Sequence, residues 1–172
     1  MTSEQRLVHP FEPVFDEQST RLILGSFPSV ASRERHFYYG HPRNRFWTLL
    51  ALLTGEPVPE SISEKKAFLL RHRIALWDAA AQCAVRGSAD ASIRSAVPND
   101  IASLLLKTNI RTVFCNGQTA FRIYESGRLQ AGEGILPPAV CLPSTSPANA
   151  AWQLERLAES WKIVFVNNPK EN

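Results

Sequence analysis

The chain has 172 residues, of which 44% are hydrophobic and 20% charged, a composition typical of one globular domain with a sizeable core. Its formal net charge of +3 is only weakly informative about partners, and its apolar runs are too short to span a bilayer. The amino-terminal residues contain no apolar stretch of the secretory type, so we expect a cytoplasmic protein with no membrane partner.

The cysteines and histidines are scattered and show no metal-ligand spacing. The cysteines are Cys83, Cys115 and Cys141, and the histidines are His9, His36, His41 and His72. An odd number of cysteines without a CxxC pair argues against a disulfide framework, a zinc site and an iron–sulfur site. We therefore expect no metal. Because Cys115 and Cys141 each end a short apolar run, we expect both to be buried strand thiols.

The first half of the chain predicts two strands and two helices. Short apolar runs predict buried strands, and apolar residues three or four positions apart predict helices. Ser61 and Glu64 form the pattern of a capping box, which marks the start of a helix. In chain order the predicted elements are a strand at 21–25, a long loop at 26–43, a helix at 44–54, a helix from Ser61 to about Arg73 and a strand at 74–77.

The second half continues the alternation of helices and strands. The predicted elements are a helix from Pro98 to Lys107, a strand at 111–115, a helix from Gln118 to Glu125 that stops near Gly127, a strand at 139–142 and a helix from Ser146 and Pro147 to about Trp161. The apolar residues 163–166 receive no predicted element. This alternation predicts one α/β domain over residues 1–172, a three-layer α/β/α sandwich around a mainly parallel four-stranded sheet.

Polar, glycine-rich segments follow each predicted strand. They are GSFPS (25–29), WDAAAQ (77–82), CNGQ (115–118) and LPSTSPAN (142–149). Since ligands of open α/β sheets bind outside the carboxyl ends of the strands, these segments predict the functional site. Gly25 would let backbone approach a ligand, although GSFPS could equally be a simple turn. The hydroxyls of LPSTSPAN and a helix start near Pro147 would suit phosphate, and Ser146 could also simply cap that helix.

The segment FYYGHPRNRFW (37–47) combines aromatic rings, cations and one amide in the predicted long loop. Tyr39 could stack on a nucleobase, Asn44 could hold a water or read a base edge, and Arg43 and Arg45 could neutralise phosphates. Phe46 and the following Trp are expected in the core. The alternative is a solvated loop whose arginines pair with surface acids.

These residues predict a pocket for a planar base with phosphate seats around it, which fits either a free nucleotide or DNA. No Walker A sequence and no GxGxxG follows the first predicted strand, so we expect no nucleoside triphosphate and no dinucleotide cofactor.

Three motifs resemble those of the uracil-DNA glycosylase superfamily. GSFPS, YGHPRNRFW and LPSTSPAN stand in the same order and at similar spacing as GINPG, FAHPANRFW and LPNPSGLS of the mismatch-specific uracil/thymine glycosylases. The chain looks most like the hypoxanthine-DNA glycosylase branch, also called DNA-deoxyinosine glycosylases. The resemblance implies base excision repair by a monofunctional, cofactor-free monomer at the nucleoid, which flips a deaminated base out of DNA and hydrolyses its N-glycosidic bond.

The usual catalytic side chains of the superfamily are missing at their usual places. Phe27 stands where other branches carry a water-positioning Asn or an Asp, and Leu142 or Ser144 stands where the most active uracil enzymes carry His. The resemblance therefore implies Asn44 as the catalytic residue, placing the attacking water. Asp78 could act as a general base or read the base, or it could be a surface or helix-capping residue.

The resemblance implies two further sets of residues. Substrate contacts are expected from Gly25, Ser26, Phe27, Tyr39, Gly40, Asp78 and Asn116. DNA contacts are expected from Ser29, Arg43, Ser144, Ser146, Pro147, Ala148 and Asn149, of which 147–149 align with the wedge that fills the space left by the flipped base. The preferred substrate is expected to be hypoxanthine, with uracil or xanthine as further substrates. A mismatch-specific uracil/thymine glycosylase and a non-catalytic binding protein of the same fold are the alternatives.

Overall fold

The computed structural model of the protein describes residues 4–85 and 93–166, which contain two sheets and the helices packed on them. The strands are β1 Gln5–Val8, β2 Arg21–Gly25, β3 Ile74–Asp78, β4 Ala80–Val85, β5 Arg94–Pro98, β6 Thr112–Asn116 and β7 Ala139–Leu142. The helices are α1 Val30–Arg35, α2 Phe46–Thr54, α3 Ile62–Arg71, α4 Ile101–Leu106, α5 Gln118–Ala131 and α6 Leu154–Trp161, and a 3-10 helix, Lys162–Phe165, follows α6.

The central sheet has the order β3-β2-β6-β7, and all its neighbouring strands are parallel. Its strands are almost continuously apolar because helices cover both faces. On one face Ile23 and Phe114 pack with residues of α2, α3 and α6, and on the other Leu22 and Leu24 pack with residues of α4 and α5. These layers confirm the predicted α/β/α sandwich. Parallel pairing also brings the carboxyl ends of all four strands to one edge.

A second, three-stranded antiparallel sheet, of order β1-β4-β5, was not predicted. Its strand β4 begins just after β3 ends, within the segment that the sequence presents as a loop. The sequence of β4, AAQCAV, holds one β-branched residue, and β1 and β5 are largely exposed. The strand conformation here comes from tertiary pairing, which local propensity does not encode.

Several predicted element bounds differ from the structure, two of them for identifiable reasons. The predicted loop 26–43 contains the short helix α1. The Ser29 side chain caps the start of this helix by accepting the Ser32 N–H. Helix α5 continues through Gly127 to Ala131. The glycine lies where the helix passes Pro98 of β5, since a Cβ added to it would lie 3.0 Å from the Pro98 Cβ. Residues 163–166 mostly lie in the 3-10 helix.

The predicted strand thiols are only partly confirmed. Cys115 is buried, and burial raises the pKa of its thiol. Cys141, opposite it on β7, is partly exposed, although burial also raises the pKa of its thiol. Within residues 4–85 and 93–166, no helix has both the length and the hydrophobicity needed to cross a membrane.

The capping box at the start of α3 is confirmed. Ser61 Oγ accepts the Glu64 N–H at 3.1 Å, and Glu64 Oε2 accepts the N–H groups of Glu60 at 2.8 Å and Ser61 at 3.3 Å. The bonds from these two N–H groups lower the pKa of the Glu64 carboxyl.

Replacing Ser61 with Ala should lower the free energy of unfolding by about 1 kcal/mol, since the first turn of α3 loses its capping oxygen. The Ser63→Ala variant is the matched control, because the Ser63 hydroxyl contacts Ser61 Oγ and caps no backbone group of the described residues. Urea denaturation measures both variants. Equal losses in the two variants would contradict the assignment of Ser61 as the cap.

Candidate active site

The aromatic segment 37–47 folds around a stacked pair of rings. The Tyr39 ring lies on the Phe46 ring, with centroids 3.9 Å apart and planes 18° apart. Phe46 and Trp47 are buried, as predicted. Tyr39 has a φ of +54°, a left-handed conformation uncommon for a side chain of this size. Residues held in such conformations concentrate at functional sites, and Tyr39 lies beside the end of β2.

Gly25, at the end of β2, brings Tyr39 and Asp78 together. A Cβ at this position would lie 2.3 Å from Asp78 Oδ1 and 3.0 Å from the Tyr39 hydroxyl. Only glycine leaves room for both groups, so the glycine of GSFPS is required by a close approach of side chains. The first motif, the aromatic loop and the end of β3 thereby meet at one place.

Asp78 is buried and paired with His9, a residue that the sequence did not single out. His9 Nε2 lies 2.7 Å from Asp78 Oδ2, and His9 Nδ1 lies 2.8 Å from the Phe11 carbonyl oxygen. A carbonyl oxygen only accepts, so Nδ1 donates to it, and the second bond requires a further proton between Nε2 and the carboxylate. The expectation of a surface or capping role for Asp78 is therefore wrong.

Phe27 does not replace the missing catalytic side chain. It is buried, and its ring stands edge-on to the His9 ring at a centroid distance of 5.8 Å. The apolar ring of Phe27 thus lies against the His9 side of the His9–Asp78 pair.

Asn44 is half-buried and belongs to a hydrogen-bond chain with the buried residues Thr145 and Asn116. Asn44 Oδ1 accepts the Phe46 N–H and the Thr145 hydroxyl, both at 2.9 Å. Asn116 Nδ2 donates to Thr145 Oγ1 at 2.9 Å, and Asn116 Oδ1 accepts the Thr145 N–H at 3.0 Å. Thr145 has no exposed surface. Thr145 was predicted only as one of the hydroxyl residues of the third motif.

Arg45 clamps the third motif to the aromatic segment. Its guanidinium donates to the backbone carbonyls of Thr145 at 3.2 Å, Ser146 at 2.7 Å and Asn149 at 3.1 Å, and also to that of Trp152. The expectation that Arg45 neutralises phosphate is replaced by this structural role. The carbonyl groups of these residues point towards the Arg45 guanidinium, whereas in a helix they would point along the helix axis.

The predicted helix start at Ser146 and Pro147 is consequently wrong. Residues 146–152 form turns, and α6 begins at Leu154. Ser146 Oγ accepts the Ala148 N–H within this turn, so it caps a turn and not a helix. A phosphate seat built from a helix end near Pro147 does not exist. What remains is a loop that hydrogen-bonds to Arg45 and exposes Ala148.

Three other predicted residues have protein partners. Ser29 caps α1, and the Gly40 N–H donates to Ser32 Oγ at 3.0 Å. Asn149 Nδ2 donates to the Ser144 carbonyl at 3.0 Å. Their contacts with a ligand remain predictions. Gly117, which the sequence did not single out, has a φ of +95° and leaves room for Ser144, whose Cβ would lie 3.1 Å from an added Cβ.

The described acidic residues do not pair with the arginines that precede Asn44. In the part of the chain that the structure describes, Arg33, Arg35 and Arg43 form no ion pair, so the alternative of surface pairing is not supported. Burial and, after it, the nearby positive charge of Arg35 lower the pKa of the Lys65 ammonium. The positive charges of these three arginines lie in or near the aromatic segment, which would suit phosphate.

Comparisons with known proteins agree on one family. The family model described as the uracil DNA glycosylase superfamily matches residues 12–166. A Methanosarcina acetivorans protein named hypoxanthine DNA glycosylase is 38% identical over 157 residues, covering 90% of this chain and 96% of the relative. A Methanosarcina barkeri protein of the same name is 38% identical over 111 residues, covering 63% of this chain and 70% of the relative.

A solved structure extends the similarity to the fold. The solution NMR structure of a Methanosarcina acetivorans protein, described only provisionally as a uracil DNA glycosylase, aligns with a TM-score of 0.74 and 33% sequence identity. The alignment covers 90% of this chain and 94% of that structure.

Replacing His9 with Leu should lower the free energy of unfolding by about 3–5 kcal/mol, because it leaves the Asp78 carboxylate buried without its partner. The control is His72→Leu, which removes a similar histidine–carboxylate contact, at 2.7 Å to Glu56, from a more exposed position. That loss should be much smaller, since water screens the pair. Urea denaturation measures the free energy of unfolding of both variants. Equal losses would show that burial of the His9–Asp78 pair adds nothing to the cost of breaking it.

Proposed function

The chain belongs to the uracil DNA glycosylase superfamily, and from this membership we propose that it is a DNA glycosylase that removes hypoxanthine from DNA. The enzyme hydrolyses the N-glycosidic bond of deoxyinosine, leaves an abasic site and so begins base excision repair. The observation that carries this proposal is the 38% identity to a protein named hypoxanthine DNA glycosylase over 90% of the chain. We further propose that it works as a cofactor-free monomer on chromosomal DNA in the cytoplasm.

The proposed reaction needs little chemistry from the protein. Breaking the bond between C1′ and the base leaves the electron pair on the base and a cationic sugar that takes up water. The protein has to hold the base outside the duplex, stabilise its developing negative charge and orient the sugar towards water. A site without the usual Asp or His can supply these functions through fixed dipoles.

The flipped base would stack on Tyr39. Phe46 supports one face of the Tyr39 ring at a centroid distance of 3.9 Å, so the base would take the opposite face. Backbone at Gly25, Ser26 and Phe27 would border the base. Asp78 Oδ1, close to the Gly25 Cα, is an acceptor in this region. Hypoxanthine carries an N1–H donor where adenine carries an acceptor, so Asp78 could distinguish the two.

The same acceptor explains the proposed secondary substrates. Uracil presents an N3–H and xanthine an N1–H to a carboxylate in the same way as hypoxanthine does. DNA on either side of the lesion would contact the exposed Arg43, together with Ser29, Ser144 and Ser146. Residues 147–149 would enter the space left by the base. Because the exposed Ala148 is small, this plug would fill that space only partly.

Excision assays on a panel of oligonucleotides, each with one deoxyinosine, deoxyuridine, deoxyxanthosine or G·T mispair, should give the fastest formation of alkali-labile sites at deoxyinosine. The Asn44→Ala variant should excise about 10²–10³ times more slowly while it keeps its affinity for DNA. Asn109→Ala is the matched control, because the Asn109 amide donates to the Glu17 carbonyl, outside the site.

Other outcomes separate the alternatives. Faster excision at G·T or deoxyuridine than at deoxyinosine would identify a mismatch-specific uracil/thymine glycosylase. DNA binding without excision at any of these bases would identify a non-catalytic binding protein, an alternative motivated by Phe27 at the usual catalytic position.

Replacing Tyr39 with Leu should slow excision of hypoxanthine by roughly 5- to 150-fold, which corresponds to the about 1–3 kcal/mol that one base–aromatic stack contributes. Tyr39→Phe keeps the ring and should retain most of the rate. Single-turnover kinetics measures both variants. If the Phe and Leu variants lose the same rate, the hydroxyl and not the ring is the contributing group, and the stacking role is wrong.

A further inference from the structure

We propose that Thr145 is a positioning residue that, together with Asn116, fixes the polarity of the Asn44 amide, so that its Nδ2 donor and not its carbonyl oxygen is available to substrate. This inference rests on the proposed function. It changes the expected role of Asn44 from a group that places the attacking water to a donor that stabilises the departing base.

The polarity of the chain is determined at both ends by backbone N–H groups, which can only donate. The Phe46 N–H requires an oxygen on Asn44 at 2.9 Å, and the Thr145 N–H requires an oxygen on Asn116 at 3.0 Å. The Asn116 group that faces Thr145 Oγ1 is therefore the Nδ2 donor. Because the Thr145 hydroxyl accepts that hydrogen bond, its single hydrogen is directed to Asn44 Oδ1.

For contact with a substrate, the Asn44 side chain is left with only the N–H donors of Nδ2. Its Oδ1 already accepts two hydrogen bonds, which use both lone pairs. Within the described residues, Asn44 Nδ2 has no acceptor. Rotating the amide by 180° would set Nδ2 against the Phe46 N–H and would remove the acceptor of the Thr145 hydroxyl. Buried groups left unpaired in this way are costly, so the arrangement has one stable orientation.

Thr145 is itself held from the opposite side. The Arg45 backbone N–H donates to the Thr145 carbonyl at 3.1 Å, and Arg45 Nε donates to the same oxygen at 3.2 Å. Thr145 therefore bonds through its N–H, its carbonyl and its hydroxyl, and it is fully buried. A residue fixed at three points can hold a neighbouring amide to the small tolerance that a catalytic group needs.

A donor at Asn44 has a defined chemical task. As the bond between C1′ and N9 breaks, its electron pair moves to the base, and an N–H directed at a base acceptor becomes a stronger hydrogen bond. Water forms the new C1′–O bond and releases its proton to bulk water. With both lone pairs of Oδ1 occupied, Asn44 cannot accept that proton.

The first test compares Thr145→Val with Thr145→Ser in single-turnover excision of deoxyinosine. The Val variant should lose roughly tenfold in the rate at saturating enzyme, with DNA affinity unchanged, because the nearly isosteric side chain no longer donates to Asn44. The Ser variant keeps the hydroxyl and should restore the rate to within about twofold. If the rates of both variants follow their thermal stabilities, Thr145 has only a structural role and the proposal is overturned.

The second test is Asn44→Asp, compared with Asn44→Ala. A carboxylate still accepts from the Phe46 N–H and the Thr145 hydroxyl but carries no N–H donor at neutral pH. The Asp variant should therefore be more stable than the Ala variant and equally slow in excision. Excision by the Asp variant at or above the wild-type rate would show that an acceptor acts at this position, and would overturn the proposal.

A measurement without turnover separates this inference from the proposed function. In ¹⁵N-labelled wild-type protein, the Asn116 side-chain NH₂ should be protected from hydrogen exchange, and that of Asn44 should exchange readily. Thr145→Val should remove the protection at Asn116. The opposite pattern of protection refutes the polarity even if hypoxanthine is excised. The expected pattern in a protein that excises no base would refute the proposed function alone.

Discussion

The hydrogen bonds from Arg45 to the third motif are the contacts on which the site depends. A single guanidinium gathers four carbonyls of residues 145–152 and joins segments about one hundred positions apart. The next residue towards the amino terminus is Asn44, and the first carbonyl in the group belongs to Thr145. The contact that closes the loop therefore also sets Asn44 against Thr145.

The elements that the sequence predicted well are those whose burial leaves a local pattern. Strands β2, β3, β6 and β7 are covered on both faces, so their residues are almost continuously apolar, and the helices between them along the chain indicate parallel pairing. The errors lie where a distant residue decides the structure. The turn at 146–152 follows from Arg45, and the passage of α5 through Gly127 follows from the contact with Pro98.

The edge at which the motifs meet could be predicted from the sequence, but the contacts between their side chains could not. The motifs at the strand ends had to meet because parallel strands end at one edge. Nothing in the sequence joins His9 to Asp78, which are 69 positions apart, or shows that the Thr145 hydroxyl faces an amide. Such partners are chosen by the geometry of the folded chain, and a lone His or Thr carries no spacing signal that would reveal them.

The two polar networks present different hydrogen-bonding groups at the candidate site. The His9–Asp78 pair lies under Gly25 and offers a carboxylate oxygen, whereas the Asn116–Thr145–Asn44 chain ends in an amide donor. A purine with an N–H on one edge and lone pairs elsewhere matches an acceptor and a donor that are both fixed. In the proposed reaction adenine, which lacks that N–H, would leave the buried Asp78 oxygen without a partner, and we propose that the cost of this loss contributes to selectivity.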